Sequence, residues 1–278
     1  MHLLVAGSDR VDAGKTTVAA GLLASIDGAR GFKPRAGNDY WFDHDDVMAS
    51  VRSGRLYGKD VTRLVEAAGV DGPEERYNPV HRLWRPTPDR TGLLGESDRT
   101  FLLDRIRTAD GDRFVVNEPA IEDGLLPETI AEALPIDEAT GVRSVERFND
   151  LMKSVYLPAF EALSDRIEAA SPAVVESYGA IATPIEGIEF DAVAIVEPSR
   201  VRIYEGERYL NARSVASGSL REGRREEPVD RVIELLDPAA TARLPALTST
   251  ERSNPDAIAA SYRDAYEALL AVAIDGDQ

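Results

Sequence analysis

The chain has 278 residues, no cysteine and a formal net charge of -17 at pH 7. The lack of cysteine excludes disulfides, thiolate metal sites and a cysteine nucleophile. The negative charge argues against nucleic acid or an anionic membrane as a partner, because both would repel the chain. With 43% hydrophobic residues, the chain has enough apolar side chains for a full core.

Acidic side chains number 49, whereas Lys and Arg together number 32, and only four of those are lysine. This composition resembles that of proteins from salt-loving organisms, in which salt screens the self-repulsion of an acidic surface. The amino-terminal apolar run is too short for a signal peptide, and no stretch reaches membrane-spanning length. We therefore expect a cytoplasmic protein.

The first predicted element is a short buried strand, Leu3 to Ala6, followed by a turn of small residues and a helix that opens with Gly-Lys-Thr. This arrangement is typical of loops that bind nucleotide phosphates. The loop amides and the helix dipole would attract phosphate oxygens, Lys15 would reach the terminal phosphates, and Thr16 would bind Mg²⁺. We therefore predict a nucleotide-binding segment that includes Gly7, Asp12, Ala13, Gly14, Lys15, Thr16 and Thr17.

This segment departs from the strict pattern G-x-x-x-x-G-K-[ST], because Asp9 stands where the first glycine is expected. Gly7 stands two residues earlier, so the loop is longer than the pattern requires. Two alternatives to an active phosphate site are therefore a strand-turn-helix junction with a chance Gly-Lys-Thr and a binding module with an inactive loop.

The next elements are a second strand within residues 28–34, a polar and aromatic loop over residues 35–46, and a helix that begins near Val47. Residues 59–69 have the apolar spacing of a helix. Residues 71–95 are rich in proline, glycine and charge, which predicts an irregular segment.

A hairpin is predicted for residues 100–107 and 114–117, because a good turn sequence joins them. The predictions that follow are a helix from Ser144 to Ala170 kinked at Pro158, strands at residues 172–175 and 190–196, a hairpin over residues 201–210, and a last helix over residues 255–274. Strands that alternate with helices favour an α/β fold, with a mostly parallel sheet and helices on both faces. We expect a single domain over residues 1–278, with an insertion at about residues 71–141.

Three segments together resemble the dethiobiotin synthetase and cobyrinic acid a,c-diamide synthase group of P-loop NTPases. The segments are residues 7–17, then Phe32-Lys33-Pro34 with Asp39, Tyr40 and Asp43, and then residues 174–180 with Thr183-Pro184-Ile185. The chain is also similar to archaeal proteins described only as predicted P-loop ATPases or GTPases. The resemblance implies a P-loop NTPase fold.

The same resemblance implies catalytic roles for Lys15, Lys33 and Glu176. Lys33 would face the transferred phosphoryl group, where a lysine can neutralise developing charge; the alternative is a solvated surface lysine. Glu176 would hold Mg²⁺, but Glu118 and Glu197 also follow apolar strands and remain rivals.

Asp45 and Asp46 complete the predicted metal set of Thr16, Asp45, Asp46 and Glu176. The alternative for these two aspartates is that they are solvated acids at the start of a helix.

The leading function is a Mg²⁺-dependent ATPase that activates a carboxylate or carbamate by phosphoryl transfer, as a ligase does. The alternative is a switch or assembly protein that hydrolyses ATP or GTP without a small-molecule product. The expected partners are accordingly an acid substrate or a protein client.

ATP is the expected nucleotide and GTP the alternative, since the missing N-K-x-D motif does not establish adenine. Arg10 lies where a related class of dimeric ATPases carries a signature lysine that reaches the partner's phosphates, which makes a homodimer one expectation. The alternative is that Asp9 and Arg10 form an ordinary surface pair.

Overall fold

A computed structural model describes residues 1–8, 14–94, 97–216 and 226–275. The chain divides into two compact units, although the sequence analysis expected one domain with an insertion. The first unit is Met1–Pro34, Arg63–Asp71 and Ser164–Gln278, and the second is Arg35–Thr62 and Gly72–Leu163. The physical basis of the division is that each unit has its own sheet and its own hydrophobic core.

The described residues form eleven strands. In chain order these are β1 (His2–Gly7), β2 (Arg30–Phe32), β3 (Arg35–Asp39), β4 (Val80–Thr91), β5 (Ser97–Thr108), β6 (Gly111–Asn117), β7 (Thr140–Val142), β8 (Ala173–Glu176), β9 (Ala192–Glu197), β10 (Arg200–Glu205) and β11 (Ala240–Arg243).

The described residues also form twelve α-helices, most of them short. In chain order these are α1 (Lys15–Ser25), α2 (His44–Val51), α3 (Lys59–Ala67), α4 (Glu118–Glu122), α5 (Glu128–Ala133), α6 (Val145–Leu151), α7 (Leu157–Glu168), α8 (Gly206–Ala216), α9 (Val229–Ile233), α10 (Ser249–Arg252), α11 (Pro255–Ser261) and α12 (Arg263–Asp275). None of them is long and apolar enough to cross a membrane.

The sheet of the first unit has six strands in the order β11-β10-β9-β1-β8-β2. Four of them, β9, β1, β8 and β2, are parallel, and β10 pairs antiparallel with both β9 and β11. Leu3, Val5 and Val174 face a core formed with α1, α11 and α12. The opposite face of β9 and β10 contacts α8. Helices therefore cover both faces of this sheet.

The sheet of the second unit has five strands in the order β3-β4-β5-β6-β7. Its centre is antiparallel, whereas β3 and β7 join the two edges in parallel. The prediction of a mostly parallel sheet is therefore wrong for this unit, and the fold as a whole is α/β with mixed sheets. Hydrophobic side chains of α2, α4 and α5 pack on one face.

A fully buried arginine fixes the segments that surround β5. The guanidinium of Arg105 donates hydrogen bonds to the backbone oxygens of Leu56, Asn78 and Pro79 at 2.8 to 3.2 Å. Burial lowers the pKa of Arg105 to about 10. Carbonyl oxygens thus supply much of the solvation that the buried cation has lost.

Several predicted elements are confirmed and several are wrong. The β5–β6 hairpin, the helix cap at Ser144 and the second strand are present. Residues 80–91 form β4 instead of an irregular segment, residues 35–39 form β3 instead of a loop, and residues 206–210 begin α8 instead of completing a hairpin. The interruption of the predicted helix from Ser144 is a π-helical turn over Met152–Tyr156, which ends two residues before Pro158.

Candidate functional site

The first unit brings together the carboxyl ends of three parallel strands. β8 lies between β1 and β2, with Val5 paired to Glu176 and Phe32 paired to Val175. Because parallel strands end at the same edge of a sheet, the residues that follow them become neighbours. The start of α1, Lys33 and Glu176 therefore meet at this edge.

Gly14 turns the chain into α1. Its φ of 85° lies in the left-handed region, which glycine adopts without steric cost. The Gly14 carbonyl accepts the amide of Val18 at 2.9 Å and so opens the helix. This geometry places Lys15 and Thr16 in the first helical turn.

A buried carboxylate connects the helix start to the end of β2. The Thr16 hydroxyl donates to Oε1 of Glu176 at 2.7 Å, and Nζ of Lys33 donates to the same oxygen at 2.7 Å. The side chains of Lys33 and Glu176 are 5% and 1% exposed. Lys33 is therefore not the solvated surface lysine that the sequence left open.

Lys15 reaches the loop that follows β8. Its Nζ donates to the carbonyl of Gly179 at 2.8 Å, and the residue is largely buried. The Ser177 hydroxyl donates to the carbonyl of Ile181 at 2.6 Å and holds the loop in shape. The contact of Gly179 with Lys15 was not predicted from the sequence, although a glycine shortly after a glutamate that ends a strand could have indicated a loop close to the site.

The other predicted nucleotide-binding residues lie around this cluster or outside the described part of the chain. Gly7 is buried at the end of β1 and pairs with Val196, and Thr17 is buried in the first turn of α1. Asp12 and Ala13 lie outside the described residues, as do Asp9 and Arg10.

The three candidate glutamates have different surroundings. Glu118, in the second unit, pairs with Arg143. Glu197 accepts hydrogen bonds from Arg200 and Arg202 at 2.7 to 3.2 Å. Burial alone would raise the pKa of Glu197, but these hydrogen bonds outweigh burial and lower it. Among the described contacts of the three, only those of Glu176 include the Thr16 hydroxyl.

Asp45 and Asp46 belong to the second unit, in the first turn of α2. Asp46 pairs with Lys59 at 2.9 Å, and this hydrogen bond raises the pKa of Lys59. Asp45 is exposed. Both aspartates lie where acidic residues commonly occur at the start of a helix, which is the alternative interpretation, so their role as metal ligands stays a prediction.

The residues at the strand ends fit a magnesium ion. Mg²⁺ prefers oxygen ligands and is usually bound through one or two protein groups together with phosphates and water. The Thr16 hydroxyl and the Glu176 carboxylate supply two such oxygens within hydrogen-bonding distance of each other. No group of three His, Cys, Asp or Glu side chains arranged for a metal occurs among the described residues.

Comparison with models of protein families finds no match to this chain. No curated protein and no solved structure matches it either.

Proposed function

We propose that the first unit binds a nucleoside triphosphate with Mg²⁺ and transfers or hydrolyses its terminal phosphoryl group. The observation that carries this proposal is the shared carboxylate oxygen of Glu176, which accepts hydrogen bonds from both Thr16 and Lys33. A structural role alone would not require one cationic and one hydroxyl group, both suited to phosphate chemistry, to converge at the start of a helix that follows a glycine.

Thr16 and Glu176 would hold the metal ion, which supplies positive charge to the phosphate oxygens when bound. Lys15 already points its ammonium group at a carbonyl oxygen in the loop after β8. A phosphate oxygen is a stronger, charged acceptor, so Lys15 would exchange the carbonyl for the phosphate.

Lys33 is positioned to stabilise charge that develops during phosphoryl transfer. Its ammonium group is buried, and its contact with Glu176 orients it. Preorganisation of this kind avoids the cost of rearranging a solvated side chain at the moment of reaction. In the proposed site, Lys33 therefore supplies the positive charge that stabilises the phosphoryl group during transfer.

The first experiment measures nucleotide binding by calorimetry with ATP and GTP in the presence of Mg²⁺. Lys15→Ala should weaken binding at least about 100-fold, because a charged contact to phosphate in a largely buried site is lost. Lys153→Ala removes an exposed lysine of the second unit and serves as the control. Unchanged affinity of the Lys15 variant would overturn the phosphate site.

The second experiment measures phosphate release. Glu176→Gln should slow turnover about 100-fold and leave nucleotide affinity largely intact, whereas Glu197→Gln should change neither. Release that depends on an added carboxylic acid would identify a ligase-type activity. Nucleotide-dependent dimerisation without acid dependence would identify the switch-type alternative.

A further inference from the structure

Two adjacent aromatic residues lie exposed between β3 and α2 of the second unit. Trp41 is 74% exposed and Phe42 is 79% exposed, which are the two highest values among the exposed large hydrophobic residues that the structure describes. A single exposed hydrophobic side chain is ordinary, whereas an exposed apolar patch rimmed by polar residues marks a site of interaction. Trp and Phe are also enriched at protein interfaces. The pair is therefore a candidate docking surface.

The loop holds this aromatic pair in a defined turn. Oδ1 of Asp39 accepts the amide of Trp41 at 2.9 Å and the amide of Phe42 at 3.2 Å. Oδ2 of Asp43 accepts the amide of Asp39 at 2.9 Å, and the amide of Asp43 donates to the carbonyl of Asp39 at 2.8 Å. A partner that binds a turn fixed in this way loses little free energy to ordering the backbone.

The charges around the aromatic pair are mainly negative. Asp39 and Asp43 flank it, and Asp45 is exposed in the first turn of α2. Asp46 pairs with the ammonium group of Lys59 at 2.9 Å. These aspartates, here called the acidic rim, outnumber the lysine that contacts them. The rim attracts a cationic partner, whereas it repels nucleic acid, an anionic membrane and a second copy of a chain whose net charge is -17.

Arginine is the side chain that suits an aromatic ring beside a carboxylate. Its planar guanidinium stacks on aromatic faces, best on Trp, and donates two parallel hydrogen bonds to a carboxylate. The second unit already contains a contact of this kind. The guanidinium of Arg82 lies 5.1 Å from the ring centroid of Trp84 and donates to both carboxylate oxygens of Asp104 at 2.6 to 2.7 Å. An arginine from a partner would meet the same combination at Trp41 and the acidic rim.

We propose that Trp41, Phe42 and the acidic rim form a docking site for an arginine-bearing segment of a protein partner. A guanidinium group of the partner stacks on Trp41 and pairs with a carboxylate of the rim, while Phe42 packs against the aliphatic part of the segment. The proposal uses residues of the second unit and needs no nucleotide, so it is tested separately from the proposed nucleotide site.

The test is fluorescence anisotropy of a labelled, capped peptide in which arginine and glycine alternate, titrated with the full chain at about 0.1 M salt and without nucleotide. We expect saturable binding with a dissociation constant of about 0.1 mM or lower. The same peptide with citrulline in place of arginine keeps a planar group but carries no charge, and it should bind at least about tenfold more weakly. Equal affinity for the two peptides, or no saturable binding of the arginine peptide, would overturn the proposal.

The decisive variants leave the net charge unchanged, so the general attraction between an acidic chain and a basic peptide stays the same. Trp41→Ala should weaken binding at least about fivefold and Phe42→Ala at least about twofold, whereas Trp41→Phe keeps a ring and should weaken binding less than Trp41→Ala. Val145→Ala is the control, because Val145 is an apolar residue of the same unit that is 53% exposed. Circular dichroism melting would establish that all the variants fold. Unchanged affinity of the Trp41→Ala variant would mean general charge attraction alone and would overturn the proposal.

Two other occupants of the aromatic pair have readouts of their own. Self-association in sedimentation that Trp41→Ala abolishes would assign the surface to a second copy of this chain. Co-sedimentation with phosphatidylcholine vesicles that the same variant abolishes would assign it to a membrane. Either result would overturn the assignment to a basic protein segment.

Discussion

At the scale of single residues, the buried pair of Lys33 and Glu176 stands out energetically. Removing two charges from water costs several kcal/mol per ion, and the attraction between them in the interior repays this cost only with good geometry. The 2.7 Å contact and the added hydrogen bond from Thr16 meet that condition. A buried ion pair of good geometry therefore lies at the centre of the candidate site.

A double-mutant cycle would measure this coupling. Lys33→Met and Glu176→Gln should each lower the free energy of unfolding by about 3 kcal/mol, because each removes one member of a buried ion pair. The double variant should lose at least about 1.5 kcal/mol less than the sum of the two, as measured by urea denaturation.

The control cycle combines Lys33→Met with Glu197→Gln. Glu197 pairs with Arg200 and Arg202, so its loss should add to that of Lys33 within about 0.5 kcal/mol. Additive losses in the Lys33 and Glu176 cycle would show that the two charges do not depend on each other.

At the scale of elements, the sequence predicted those strands and turns that depend on residues close together in the chain. The β5–β6 hairpin was predictable because alternating apolar residues flank a tight turn. The strand β4 was missed because Pro86 and Pro88 are typical of loops. The parallel partner β3 ends opposite Trp84, so both prolines lie where β4 has a free edge and no ladder bond is lost on that side.

Long-range contacts account for the other misses. The local sequence gives no signal that Arg105 is buried, and only the fold shows carbonyl oxygens from two distant segments around it. In the candidate site, the motif predicted Lys15 and Thr16 from local sequence. The contact of Glu176 with Thr16 follows from the strand order, which the local sequence does not encode, and the choice of Glu176 over Glu118 and Glu197 as metal ligand stays a prediction.

Gly206 shows that a glycine required by a long-range contact can be mistaken for a turn glycine. The sequence Glu205-Gly206-Glu207 suggested a hairpin turn, but α8 begins there. A Cβ at Gly206 would lie 1.5 Å from the backbone oxygen of Phe190. The glycine is therefore required by the close approach of another backbone segment and not by a turn.

Gly206→Ala should lower the free energy of unfolding by at least about 3 kcal/mol, because the backbone of Phe190 must move to admit the methyl group. The control is Gly69→Ala, where no atom lies within 4 Å of the added Cβ and only the positive φ of 59° opposes the change. The free energy of unfolding of the Gly69→Ala variant should fall by only about 1 kcal/mol. Equal losses in urea denaturation would contradict the proposed contact.

At the scale of the whole molecule, charge is the dominant feature. The excess of 49 acidic over 32 basic side chains leaves a net charge of -17 at pH 7. Self-repulsion of this size disfavours the compact state, and dissolved salt screens it. Some acidic side chains are neutralised locally by arginines, as in the pairs of Arg200 with Glu197 and of Arg213 with Glu186.

We expect the melting temperature at pH 7 to rise by at least about 5 °C between about 0.1 and 2 M NaCl, as followed by circular dichroism. Salt also strengthens apolar burial, and that general effect is nearly independent of pH. The sequence has an isoelectric point of about 4.7, so lowering the pH to about 5.5 reduces the net charge and the repulsion. The salt-induced rise should therefore be clearly smaller at pH 5.5 than at pH 7. An equal rise at both pH values would mean that salt acts through apolar burial alone, and the acidic surface would then carry no measurable cost to folding.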